Sequence, residues 1–151
     1  MNPRYNFDSD HIDWQHIVDD SQGYSCDYKS AVLGADPSTG RLDLIVKWEP
    51  HAYCHFHRHV ADTAILVLEG EQHITEIGAD GSELGKKVRP AGTYAFSKGG
   101  DAHMECGGSE GALIFFALQA TNGKLFEMLD RDMNILSSSD VQGMMTGQAS
   151  F

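Results

Sequence analysis

Glycine divides this chain into short pieces. There are 16 glycines and only 4 prolines, and the glycines fall between short apolar runs, as in a domain built from short strands and turns. The clearest strand is Arg41 to Trp48: Leu42, Leu44, Val46 and Trp48 share one parity, with Arg41, Asp43 and Lys47 on the other. Ala64 to Leu68 is continuously apolar, consistent with a strand buried on both faces. Glu69-Gly70 then reads as a hairpin turn into a strand from Gln72 to Ile77. Further strands are expected at Asp13 to Val18, Tyr24 to Leu33, Thr93 to Ser97, Met104 to Cys106, Ala112 to Leu118 and Leu125 to Leu129. Asp80-Gly81 and Asn122-Gly123 are turn signals. Many short strands at this spacing predict an all-β sandwich or barrel.

A length of 151 residues suits one domain. We expect the barrel and its N-terminal strands in residues 1–136. Residues 137–151 form a Ser-, Gly- and Met-rich tail that either starts a short helix near Asp140 or frays. The formal net charge of -11 argues against nucleic acid and anionic membranes as partners, because both require clustered Lys and Arg. Met1 to Asp20 has no apolar signal-peptide core, and no apolar run has the length of a membrane span, so a cytoplasmic protein is expected. Three cysteines, Cys26, Cys54 and Cys106, without CxxC spacing predict no disulfide framework.

Four of the 8 histidines, His51, His55, His57 and His59, lie close together at odd positions. On a regular strand residues i and i+2 point to the same face, so His55, His57 and His59 would project together. Two imidazoles on one face make half a metal site. An ordinary row of hydrogen-bonded histidines would account for the pair equally well, and the spacing downstream decides between them.

That spacing resembles the cupin superfamily (RmlC-like barrels). The first cupin motif, G-x5-H-x-H-x3,4-E-x6-G, fits His57 and His59 as the pair and Gly70 as the closing glycine. The second, G-x5-P-x-G-x2-H-x3-N, fits Gly92, Gly100 and His103, with Lys98 for the proline and Gly107 for the asparagine. The resemblance runs from about Arg41 to Leu118. It implies a single-domain double-stranded β-helix, or jelly-roll barrel, that holds one divalent metal through His57, His59 and His103, and it implies a homodimer. Thr63 stands where the motif has its glutamate ligand. Glu76 or a water is then left for the fourth position, and a solvated Glu76 is the commoner use of such a residue.

A three-histidine site resembles those of the ChrR-like cupins and of cupin dioxygenases that cleave carbon–carbon bonds beside carbonyls, the acetylacetone and 2,4'-dihydroxyacetophenone dioxygenases. His57-Arg58-His59 and the segment Leu125 to Leu136, with its turn Asp130-Arg131-Asp132, are most similar to the second. The resemblance implies Fe(II), with Zn or Ni as alternatives, and a small carbonyl compound as substrate. It equally allows a regulatory cupin that binds metal or ligand without catalysis. A metal-free epimerase would need a His–Tyr or His–Asp pair, and the intact triad argues against it. Around the metal, Ile65, Val67, Phe96, Ile114 and Phe116 are candidate pocket walls, with core packing the commoner use of most of them. Arg58 is expected to face away from the metal, and His73 to point outward if Gln72 points in.

Overall fold

The computed structural model describes residues 11–147; the start of the chain and residues 148–151 of the expected tail lie outside the described residues. The fold is an all-β barrel, with ten strands and one short helix among the described residues. The strands are β1 (Gln15–Asp19), β2 (Cys26–Asp36), β3 (Arg41–Trp48), β4 (His57–His59), β5 (Asp62–Ile77), β6 (Glu83–Pro90), β7 (Tyr94–Ser97), β8 (Ala102–Gln119), β9 (Phe126–Leu129) and β10 (Ile135–Ser139), followed by α1 (Val141–Met145).

The two longest strands, β5 and β8, organise the barrel. They pair antiparallel from Asp62↔Gln119 to Ile77↔Ala102. The expected hairpin at Glu69-Gly70 is therefore absent: the chain bends there and continues as one strand. Gly70 sits at φ 69°, opposite Ala112, and a Cβ on it would lie 2.2 Å from the Gly111 carbonyl oxygen. Gly111 has φ 77° and the same crowding, 2.4 Å from the Trp48 carbonyl oxygen. Two bends thus cross backbone to backbone, where only glycine fits. Gly107 belongs to the same crossing, since a Cβ there would meet the Glu49 carbonyl oxygen at 2.8 Å. An asparagine at this motif position would not fit.

Beyond the bend, each half of β8 takes a different second partner. Its C-terminal half pairs with β3, Leu44 against Phe116, and its N-terminal half pairs with β4, His57 against His103. The sheet curls on itself in consequence. The inward parity of β3, Leu42, Leu44, Val46 and Trp48, forms the main core with Tyr28, Ile65, Val67, Ile114, Phe116 and Leu118, as the alternation of β3 predicts. A smaller cluster of Ala31, Ile45 and Leu113 lies on the outer face beneath Ile12 and Trp14.

The tail contributes to the fold. Residues 137–139 belong to β10, which pairs with β9. Asp140 caps α1 by accepting a hydrogen bond from the Gly143 N–H at 2.7 Å, and Val141 and Met144 are buried. Strand β6, with Lys86, Lys87 and Arg89 and almost wholly exposed, has no apolar alternation that would reveal it; its pairing with β5 alone makes it a strand. Cys26, Cys54 and Cys106 are free. Among the described residues no helix is long and apolar enough to cross a membrane.

Candidate metal centre

Strand register brings the three expected histidines together. His57 is the direct partner of His103, and His59 follows His57 on the same face. The Nε2 atoms of His57 and His59 lie 2.9 Å apart, and those of His103 and His57 lie 3.1 Å apart. Nitrogens each about 2.0–2.1 Å from one metal stand about 2.9 Å apart at a right angle and about 3.3 Å apart at the tetrahedral angle.

A fourth donor, which sequence reasoning missed, completes the cluster. Glu105 follows His103 by two residues on β8, and its Oε1 lies 3.6 Å from His103 Nε2. Its Oε2 lies 3.6 Å from His57 Nε2. The ligand atoms of His57, His59, His103 and Glu105 all fall within 4.8 Å of one another, an arrangement that could hold a metal ion. The carboxylate considered from sequence, Glu76, does not join them. It is the register partner of His103, but its side chain is 38% exposed and bonds Lys87 Nζ at 2.5 Å. The shared parity of His103 and Glu105 is the signal that could have found the carboxylate.

Hydrogen bonds behind the ligands set which nitrogen is free. The His57 Nδ1–H donates to the His55 carbonyl at 2.7 Å. The Thr63 hydroxyl donates to the Ala61 carbonyl at 3.1 Å, so its oxygen is left to accept the His59 Nδ1–H, also at 3.1 Å. With both Nδ1 atoms protonated, both Nε2 atoms carry lone pairs, and these converge. Lone pairs in van der Waals contact repel, and a cation between them removes the repulsion, so the donor set fits a divalent metal. Thr63 thus occupies the motif's glutamate position as the residue that orients His59.

Burial reinforces the neutral state. It pushes His57 down to about 4. It also pushes His59 and His103 well below the usual imidazole value, with neighbouring histidines and Arg89 adding to the effect. Glu105 is only 2% exposed, and burial raises it to about 7 against the opposing effects of Arg89, Gln72 and Cys54. Gln72 Nε2 donates to Glu105 Oε1 at 2.6 Å. The Cys54 thiol, 3.7 Å from Glu105 Oε2, is kept protonated by burial.

The remaining expected residues are placed as follows. His55 is buried and lies behind the site: its Nε2 bonds Asp19 at 2.9 Å, and its carbonyl holds His57. Hydrogen bonds from Ser21, and then from His55, hold Asp19 down to about 2. His51 lies outside the cluster. Arg58 faces away and pairs with Glu127 at 3.3 Å. Gln72 points in and His73 bonds Glu71 at 3.0 Å. Of the expected walls, Phe116 stacks on His59 with ring centroids 6.4 Å apart, and Ile65, Val67 and Ile114 are core. Phe96 is not a wall, being 57% exposed; its place beside the histidines is taken by Phe126, 5.0 Å from His59. The site opens on the side of His103, whose side chain is 15% exposed while that of His57 is fully covered.

Known structures share this architecture. A candidate acetylacetone dioxygenase from Methylibium petroleiphilum superposes with a TM-score of 0.71 at 13% identity, covering 98% of this chain and 96% of that one. An acetylacetone dioxygenase from Acinetobacter johnsonii gives 0.68 at 14% identity, covering 97% and 91%. An RmlC-like cupin from Ralstonia eutropha gives 0.65 at 16% identity, covering 89% and 79%. At these identities the likeness establishes the fold. No curated protein matches the sequence. The family model described as the ChrR Cupin-like domain matches residues 3–122, so the chain belongs to the ChrR-type cupin family.

Proposed function

We propose that this protein is an Fe(II)-dependent dioxygenase that cleaves a carbon–carbon bond of a small β-diketone or α-hydroxy ketone. The observation that carries the reading is the convergence of three neutral imidazoles and Glu105 in a barrel that resembles acetylacetone dioxygenases over almost its whole length. The metal would be held by His57, His59 and His103 with Glu105 beside them. When bound, it would supply Lewis acidity and open positions for a chelating carbonyl substrate and O₂. The chain's own residues do the rest. His55 and Thr63 fix the tautomers of His57 and His59. Phe116 and Phe126 exclude water from the imidazoles. Glu105, enclosed by burial and held by Gln72 and Cys54, places a carboxyl group beside the three imidazoles.

The substitution of Thr63 for glutamate does not strip the site of carboxylate charge, because β8 supplies a carboxylate, Glu105, from a different position. The dioxygenase reading therefore rests on the cluster and the fold. A second reading draws on the same residue: three histidines and one carboxylate are a complete set for a closed zinc site, as a metal-binding regulatory cupin would require. Oxygen-electrode measurements on protein reconstituted anaerobically with Fe(II), across β-diketones and hydroxyacetophenones, separate the two. Substrate-dependent O₂ uptake by the Fe(II) form, absent from the Zn form and from His103→Ala, is the expected result. Tight zinc binding without uptake favours the regulatory reading.

We also propose a homodimer. Leu66 and Tyr94 are partners across β5 and β7, and Phe96 follows on the same face; they are 37%, 67% and 57% exposed. This apolar outer face suits a second copy of the sheet. Sedimentation equilibrium should return twice the chain mass, and Tyr94→Glu with Phe96→Glu should return the monomer.

A further inference from the structure

Arg89 is the one residue of β6 that is not exposed. Its register partner is Gln72, so both project toward the interior of the barrel. Its Nη1 donates to Gln72 Oε1 at 3.3 Å. Among the described residues this is the only side-chain hydrogen bond Arg89 makes, and it forms no ion pair. A guanidinium has five N–H donors, and a half-buried cation without a counter-charge is costly unless something completes it. The arrangement stands out in a chain with 22 acidic residues against 11 basic ones.

Gln72 explains why no carboxylate among the described residues completes it. Its Nε2 donates to Glu105 Oε1 at 2.6 Å and its Oε1 accepts from Arg89. The amide is thus a neutral spacer between guanidinium and carboxylate. It holds the Arg89 charge close enough to act on His59, His103 and Glu105 without a direct ion pair to the carboxylate. The remaining donors of Arg89 therefore lie one side chain, Gln72, away from the carboxylate of the cluster.

We infer that Arg89 is the anion-binding residue of this site, taking one oxygen of a small carbonyl compound whose neighbouring oxygen lies toward the histidines. The inference rests on the proposed function for the presence of a carbonyl ligand. It adds that the ligand binds as an anion, either the enolate of a β-dicarbonyl or the carboxylate of a 2-oxo acid. It also assigns to the chain itself the group that discriminates these from neutral ketones.

The test is calorimetric titration of the Zn-loaded full-length protein, in which O₂ chemistry plays no part. The probes are acetylacetone at a pH that populates its enolate, pyruvate, and neutral hydroxyacetone. Arg89→Met should weaken binding of the anionic probe by about 10- to 100-fold and change hydroxyacetone binding less than about twofold. Arg89→Lys should recover part of the loss, because a point charge replaces the planar fork. Whether acetylacetone or pyruvate shows the larger loss identifies the anion as enolate or carboxylate. Metal content by elemental analysis should equal that of the wild type. Equal losses for all three probes, loss of metal in Arg89→Met, unchanged anion binding, or no binding of either anion by the wild-type protein would each overturn the inference. Anion binding that depends on Arg89 without O₂ uptake by the Fe(II) form would instead remove the dioxygenase reading and leave the inference standing.

Discussion

Glu105 and His103 lie two residues apart on β8 and turn the same face into the barrel, with Glu105 Oε1 3.6 Å from His103 Nε2. Because β8 also pairs with β4 there, His57 stands directly across from His103, and one stretch of sheet assembles all four donors. His57→Ala or His103→Ala should abolish stoichiometric metal binding, and Glu105→Gln should weaken it by about 10- to 100-fold. His51→Ala should leave it unchanged. Elemental analysis after dialysis against a weak chelator checks this; full occupancy in the His57→Ala/His59→Ala double variant would place the site elsewhere.

Thr63 is 3% exposed and its hydroxyl is shared between His59 and the Ala61 carbonyl. Thr63→Val keeps the shape and removes the acceptor, leaving the His59 Nδ1–H unpaired in a buried place. We expect the metal to be retained with affinity about tenfold lower and stability lower by about 1–3 kcal/mol. Competition with a fluorescent zinc chelator measures the first and urea unfolding the second. Complete loss of metal from a folded variant would mean that Thr63 is itself a ligand.

The raised value of Glu105 has a sign that can be tested. A folded-state value near 7, above the ordinary carboxylate value, means that the metal-free native state favours the protonated acid. Its contribution to stability is fully present below the ordinary value and is lost as pH rises through about 7. Metal-free Glu105→Gln should therefore be more stable than the wild type at pH near 8, by an amount on the order of 2–3 kcal/mol, and about equal to it near pH 5. Because the metal must displace this proton, wild-type affinity should also fall as pH drops below 7, more steeply than in Glu105→Gln. Burial pushes the histidines the other way, His57 to about 4. The contribution of His57 is full above the ordinary imidazole value and is lost progressively as pH falls from there through about 4. Thermal melts of chelator-treated protein at the two pH values decide the matter. Equal pH dependence in both variants would show that Glu105 does not titrate there.

Gly70→Ala should destabilise the barrel by at least about 3 kcal/mol, because it combines a positive φ with a collision into backbone. The added methyl would lie 2.2 Å from the Gly111 carbonyl oxygen, and neither strand can yield without breaking the β5–β8 ladder. Gly123→Ala, with φ 79° but nothing within 4 Å, should cost about 1 kcal/mol. Urea midpoints of the two variants give the comparison, and similar shifts would mean that the crossing is looser than it stands here.

Local patterns in the sequence were enough where a strand's own alternation marks its faces, and not for Ala64 to Leu68, whose continuous apolar run hides that Leu66 lies on an exposed face. The alternation in β3 names its buried face, because a pleated strand shows opposite faces at successive residues. The same rule puts His57 and His59 on one face, and the spacing of the resemblance adds His103. Partner choice was not legible. A glycine with positive φ serves a hairpin and a bend alike, so the sequence does not distinguish a strand end at Gly70 from the bend through which β5 continues along β8. Strand β6 has no periodicity of its own, and Arg89 faces inward only because Gln72 is its partner. Glu105 and Glu76 are both carboxylates on the inward parity. They are separated by what surrounds each: Lys87 draws Glu76 outward, whereas Gln72 and the histidines enclose Glu105. Side-chain periodicity is a property of neighbours along the chain. The identity of the fourth donor is a property of residues far apart in sequence, brought together only when the sheet closes.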